Sequence, residues 1–384
     1  MKYIMLIFIV VKVLKVGVEM KIKVQKVLVE DKQYPLFILL DKNYEVVEPV
    51  LRYIKFLDNT GKAPNTIKTY CYHLKLFYEY MDQKEITLGN LNFEELAGFI
   101  GWLRNPTGDV KVINLQPKEA KREETTVNSI LDATVSYLEY LGRSGDYKTV
   151  NMSKEARGNN FKGLLHHINK GKSYQKNILK LRVKKKKLKT LGHEDVKTLV
   201  NACHTKRDKL LIMLMYEGGL RIGEVLSLWL EDIVTWDNEI RITPREENEN
   251  GAYIKQRNER VIHVSKELMT LYTDYIVHEY GDDLEHNYIF INLKESYFGK
   301  PLKYQSVLDF IRRLSKRTEI PFTAHMLRHT HATELIRSGW DTAHVQKRLG
   351  HAQVQTTLNT YVHLSDQDMK KEFKKYLQER EEKQ

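Results

Sequence analysis

Through the first half of the chain, apolar side chains return every third or fourth position, the period of a helix that buries one stripe. Residues 49–57 show the pattern first and stop at Asn59-Thr60-Gly61. A longer run, capped by Asn65, carries Ile67, Tyr70, His73, Leu74, Leu76, Phe77 and Met81 at helical spacing. Residues 93–103 follow, stopped by Pro106, and residues 125–141 form another amphipathic run ended by Gly142. Four such helices predict a compact, all-helical domain over residues 46–150. Ahead of it, residues 21–30 and 35–41 are short β-branched and apolar runs around Asp31-Lys32-Gln33, which predicts a hairpin. Residues 20–45 therefore read as a small β appendage.

Helical spacing resumes at residues 194–202 and 207–217, breaks at Gly218-Gly219 and restarts over residues 222–229. The period then changes to two. Residues 239–243 and 253–263 alternate around the turn Asn248-Glu249-Asn250-Gly251, as antiparallel strands do. Helices return at residues 268–279, 304–317, 325–338, 342–349 and 355–364, with a charged amphipathic run over residues 366–382. The expected fold class is mainly α with a small antiparallel β-sheet (α+β) in a second domain over residues 190–370, followed by a C-terminal helix or tail, residues 371–384.

Between the two domains the composition shifts. Residues 170–189 hold ten Lys or Arg and no acidic residue, so residues 151–189 read as a basic linker. Such a run is either a solvated or localisation segment or, between two folded units, a strap along phosphates; Lys170, Lys172, Lys176, Lys184, Lys185, Lys186 and Lys187 are its candidate DNA contacts. The whole chain of 384 residues carries a formal charge of +12, which favours a polyanionic partner. Only Cys71 and Cys203 occur, far apart, so neither a disulfide framework nor a zinc site is expected, and a reducing cytoplasm fits. Residues 1–19 hold an apolar stretch too short to span a bilayer, with no small-residue cleavage site after it. It reads as an extension from an upstream start, with a buried strand or a membrane contact as the other readings.

Candidate chemistry lies in the second domain. Arg221 opens a helix just after the double-glycine break, where the helix dipole disfavours a cation, so it is expected to meet an anion such as a phosphate, or else to pair with Glu217 or Glu224. Lys255 sits just past the turn between the strands, where a lysine is usually only soluble surface. His325 and Arg328 are three apart on one helix and thus neighbours. With His329 and His331 nearby, a metal site competes there with an anion site. Gly350 ends a helix and presents His351 at the corner. Tyr361 follows His351 by ten positions, and on an amphipathic helix a tyrosine is ordinarily core filler.

The order Arg, Lys, His-x-x-Arg, His, Tyr over residues 190–370 resembles the tyrosine recombinase (phage integrase) family. The matching stretches are Gly219-Leu220-Arg221-Ile222-Gly223-Glu224, residues 324–333 around His325 and Arg328, and Leu349-Gly350-His351 with Thr356, Thr357 and Tyr361. The helical run from Asn65 resembles the family's core-binding domain. Residues 56–61 and 346–351 are similar to the transposase A type of transposon recombinase, which acts beside companion proteins. Tyr361 stands one position further from His351 than in many members, with Tyr304 and Tyr280 as poorer substitutes.

The resemblance implies a helical domain and a catalytic domain closing on DNA as a C-shaped clamp, and site-specific strand breakage and rejoining through a 3′-phosphotyrosine and a Holliday junction, without a cofactor or metal. Arg221 and Arg328 would hold the non-bridging oxygens and His351 would add a donor. Tyr361 would attack, Lys255 would protonate the leaving oxygen, His325 would assist proton removal and Glu224 would orient the arginines. The implied partners are double-stranded DNA at specific recombination sites, a homo-tetramer on that DNA and possible companion transposition proteins, with no membrane. Relaxation of the type IB topoisomerase kind, or a DNA-binding regulator without chemistry, are the alternatives.

Overall fold

The computed structural model describes residues 21–29, 34–105, 120–145, 153–157, 173–177, 179–183, 189–245, 248–252, 259–282 and 284–350. They divide into two compact units, Met1–Lys185 and Lys186–Gln384. Both are helical, with small antiparallel sheets. Among the described residues, no helix is long and apolar enough to cross a membrane.

In the first unit, strands β1 (Lys23–Val27) and β2 (Leu36–Leu40) pair antiparallel, Lys23 opposite Leu40. Four helices follow: α1 (Glu48–Asn59), α2 (Pro64–Lys84), α3 (Phe93–Arg104) and α4 (Glu124–Arg143). Along α2, Ile67, Cys71, Leu74, Phe77 and Met81 fall on one stripe and are buried against the other helices, because only that spacing removes a continuous apolar surface from water. Two boundaries differ from expectation. Asn65 does not cap α2: Ala63 precedes it without a side-chain cap, and Pro64 starts it, since proline has the right φ and lacks the N–H that the first turn would leave unpaired. Helix α4 also runs through Gly142, and the chain turns instead at Gly145, whose φ is +80°.

The basic segment holds structure that its composition hides. Strands β3 (Ser153–Arg157) and β4 (Ser173–Asn177) pair antiparallel, placing Lys176 opposite Lys154 in register. Neither strand has an apolar alternation, which is why the sequence reads as linker. Further on, Leu181 N–H donates to Asn128 Oδ1 at 2.8 Å, Asn128 Nδ2 donates to Leu181 O at 2.9 Å, and Leu179 is buried in the first unit's core.

The second unit begins with α5 (His193–Asn201), α6 (Lys206–Tyr216) and the short α7 (Ile222–Leu226). A three-stranded antiparallel sheet follows in the order β5 (Ile233–Val234), β6 (Glu239–Ile242), β7 (Arg260–His263). Next come α8 (Lys266–Tyr275) with a π turn at Ile276–Tyr280, then α9 (Tyr304–Thr318), α10 (Ala324–Arg337) and α11 (Thr342–Leu349). Helix α7 stops short of residue 229 because side chains take over its end: Asn250 Nδ2 donates to Leu226 O at 2.8 Å, and Asp232 Oδ2 accepts Trp229 N–H at 2.9 Å. Strand β5 is two residues long, too short for periodicity to reveal. Ala332, Val345 and Leu349 form a small separate core that clamps α11 to α10. That clamp sets where the end of α11 meets the rest of the site.

Candidate functional site

Three elements converge at the start of α7. The chain turns at Gly218-Gly219, where Gly219 has a φ of +64°; a Cβ there would lie 2.6 Å from His331 Cδ2 and 3.0 Å from Leu349 Cδ2. Only glycine fits both the left-handed conformation and the space. Immediately after it, Arg221 caps α7. Glu224, one turn on, reaches back to accept Arg221 N–H at 2.9 Å and Arg221 Nη1 at 2.8 Å. Of the two partners weighed for Arg221, the structure selects Glu224, because Glu217 is turned to Ser265 N–H at 2.5 Å.

Glu224 is the hub. Its side chain is 2% exposed, and its Oε2 also accepts from Arg260 Nη2 at 2.9 Å and lies 3.6 Å from Arg328 Nη1. Burial is the largest single influence and pushes its pKa up, but the charges of Arg260 and Arg328 and the hydrogen bonds from Arg260 and Arg221 outweigh it and hold the carboxyl below its usual range. A carboxylate so surrounded stays ionised and fixes three guanidinium groups at once.

Arg328, on α10, donates from Nη1 to Gly219 O and from Nη2 to Leu349 O, both at 2.7 Å. It thus pins the glycine turn to the last carbonyl of α11, whose C-cap Gly350 is left-handed as expected. Arg328 is 5% exposed and Arg221 is 23% exposed, so Arg221 is the more open of the two to an incoming anion. His325 is exposed on the first turn of α10, and its ring centroid lies 6.2 Å from that of His329.

His325, His329 and His331 do not gather into a metal site. His331 is buried and accepts at Nε2 from Arg348 Nε at 3.0 Å, and burial, then the charges of Arg348 and Arg328, lower its pKa to about 3. His329 is lowered to about 4 by burial, then by His325 and Arg328. Among the described residues, no group of three or more metal-binding side chains converges. Arg348 completes the shell, donating from Nη2 to Glu217 O at 3.1 Å and to His263 O at 3.0 Å.

Arg221, Glu224 and Arg328 are therefore brought together. Lys255, His351, Tyr361, Lys170, Lys172 and Lys184 to Lys187 lie outside the described residues, as do residues 1–19 and the helices expected after residue 350. Lys176 is described only as a position on β4. Sequence reasoning missed Arg260, Arg348 and the role of His331. No spacing rule points to a strand arginine, whereas the left-handed Gly350, whose Cβ would sit 2.9 Å from Arg260 Nη1, marks a place where something approaches closely.

The model of the phage integrase family matches residues 189–368. Over 361 residues the chain is 68% identical to transposase A from transposon Tn554 of Staphylococcus aureus, covering 94% of this chain and 99% of that one. The chain belongs to the phage integrase family of tyrosine recombinases. The recombinase is also 27% identical over 325 residues to tyrosine recombinase XerA of Saccharolobus solfataricus, covering 84% of this chain and 90% of that one. Its fold is that of the Tn1549 transposon integrase in complex with transposon right-end DNA, at TM-score 0.59 and 16% identity, covering 86% of this chain and 99% of that one. It also matches XerH bound to a palindromic difH substrate, at TM-score 0.56 and 19% identity, covering 84% and 82% of the two chains. The protein is a site-specific recombinase of the transposase kind, and neither relaxation alone nor binding without chemistry is favoured by this kinship.

Proposed function

We propose that the second unit cleaves one DNA strand by attack of the Tyr361 hydroxyl on a phosphodiester. A phosphodiester is anionic and its transition state more so, so fixed positive donors must be supplied. In this reading Arg221 and Arg328 hold the non-bridging oxygens, His351 adds a donor, and Glu224 orients the arginines. His325 assists proton removal from Tyr361 and Lys255 protonates the departing 5′-oxygen. The phosphodiester is exchanged for a 3′-phosphotyrosine ester, which keeps its bond energy, so the 5′-hydroxyl of another strand reverses the step and passes through a Holliday junction without nucleotide or metal cofactor. The observation that carries this reading is the buried Glu224 carboxylate holding Arg221 and Arg328 together on the turn at Gly219.

The remaining parts follow from kinship and charge. Residues 46–150 act as the core-binding half and residues 190–370 as the catalytic half of a C-shaped clamp on double-stranded DNA at specific sites. The segment 151–189 lies along phosphates through Lys170, Lys172, Lys176 and Lys184 to Lys187. Four protomers assemble on DNA, the run over residues 366–382 helping to join neighbours, beside companion transposition proteins. The free cysteines Cys71 and Cys203, their thiols pushed up to about 12 by burial, suit a reducing cytoplasm. Support for DNA as partner comes from the net charge of +12 and from the Tn1549 integrase and XerH, both solved on DNA.

The test uses a plasmid carrying two copies of the DNA that flanks the gene, against one carrying none. Recombined circles from the paired-site plasmid alone are expected; relaxation of both plasmids equally would favour a topoisomerase. Replacing Arg221 with Ala should slow strand cleavage by a factor of roughly a hundred to a thousand, the loss of one preorganised donor.

A further inference from the structure

The family resemblance leaves Arg260 without a part, yet Arg260 bonds both to Glu224 and to the end of α11. It projects from the first residue of β7 and is 7% exposed. Its Nη2 donates to Glu224 Oε2 at 2.9 Å, and its Nε donates to Arg348 O at 3.0 Å. The first contact fixes the carboxylate that holds Arg221. The second fixes the last turn of α11, one residue before the Leu349 carbonyl that Arg328 takes. Gly350 lies against the same guanidinium, since a Cβ there would be 2.9 Å from Nη1 and 3.0 Å from Cζ. Nη1 itself is buried against Gly350.

We propose that Arg260 is a positioning residue for strand cleavage: it ties Glu224, and through it Arg221, to the end of α11, and so sets the spacing between the phosphate-holding arginines and the chain that continues from Gly350. This rests on the proposed roles of Arg221 and Arg328. It adds that their geometry is fixed from β7, whose residues lie in none of the matching stretches.

Full-length protein is compared in single-turnover cleavage of a nicked suicide substrate built from the flanking DNA, with binding measured in parallel. Arg260→Gln should slow cleavage by about 10- to 100-fold, the usual weight of a partner that orients a reacting group, with affinity for the DNA little changed. Arg260→Lys, which keeps the charge beside Glu224, should recover part of that loss. The two effects should not add: in a Glu224→Gln background, Arg260→Gln should cost much less than it does alone. A further readout is pH. With the Arg260 charge gone, the groups facing Glu224 are Arg221 and Arg328, its carboxyl titrates higher, and cleavage by Arg260→Gln should fall in mild acid where the parent's does not. Melting temperature identifies a variant that fails to fold; in that event the partial Lys variant and its coupling to Glu224 decide. Cleavage by Arg260→Gln at the parental rate, or full additivity with Glu224→Gln, would overturn the inference. Arg221→Ala in the same assay separates the two levels: if it too cleaves normally, the phosphate-site reading has failed rather than the role of Arg260.

Discussion

His331 makes folding of the second unit sensitive to acid. Its ring is buried between Gly219 and Arg348, and its pKa stands at about 3 instead of 6.5. Between those two values the unfolded chain binds a proton that the folded chain refuses, so stability rises with pH across this window and is lost as pH falls through it. Each unit of pH below 6.5 costs about 1.4 kcal/mol until the folded ring itself protonates. At pH 5 the loss from this one group is therefore about 2 kcal/mol, a large part of the stability of an ordinary domain. Replacing His331 with Gln keeps an acceptor for Arg348 Nε and removes the titration. Urea denaturation of the full chain at pH 7 and pH 5, followed by intrinsic fluorescence, should show the parent losing about 2 kcal/mol more than His331→Gln between the two pH values. Equal losses in the two proteins would show that the ring is protonated in the folded state and that its contact with Arg348 is misread.

Gly219→Ala combines a left-handed residue with a Cβ 2.6 Å from His331 Cδ2. It should destabilise by about 2–5 kcal/mol, from about 1–2 for the backbone and about 1–3 for overpacking, measured by the same denaturation; a change below about 0.5 kcal/mol would contradict the packing described. Affinity for DNA should fall steeply with salt as phosphate contacts release counterions, and changing Lys184 to Lys187 to Gln should flatten that slope. An unchanged slope would remove the basic segment from the interface. Strand cleavage should persist in EDTA, because the arginines supply the positive charge; strong inhibition by the chelator would point to a metal-dependent route.

Periodicity made most helices of both units legible, since an apolar stripe such as that of α2 has to be written into the sequence to be buried. It failed where structure rests on other physics. The residues of β3 and β4 carry no apolar alternation in sequence to betray them, and α7 ends early because Asn250 and Asp232, distant from its own pattern, take up its last polar groups. The site divided along the same line. Arg221, Glu224 and Arg328 were found from motif order, and Glu224 was expected to orient the arginines; the structure brings them together. Arg260 donates to the Arg348 carbonyl at the end of α11 and Arg348 to the carbonyls of Glu217 and His263, and contacts to main-chain atoms leave no trace in residue type or spacing. Gly219 and Gly350 were the nearest signal, as both mark close approaches that a side chain would block.

The nucleophile is tested most directly by comparing the parent protein with Tyr361→Phe on a suicide substrate made from the flanking DNA, followed by denaturing electrophoresis and mass spectrometry. The parent should accumulate a protein–DNA adduct mapping to a peptide that contains Tyr361, while the variant binds the same DNA with similar affinity and forms none. Adduct formation by Tyr361→Phe, or an adduct mapped to another tyrosine, would contradict the account.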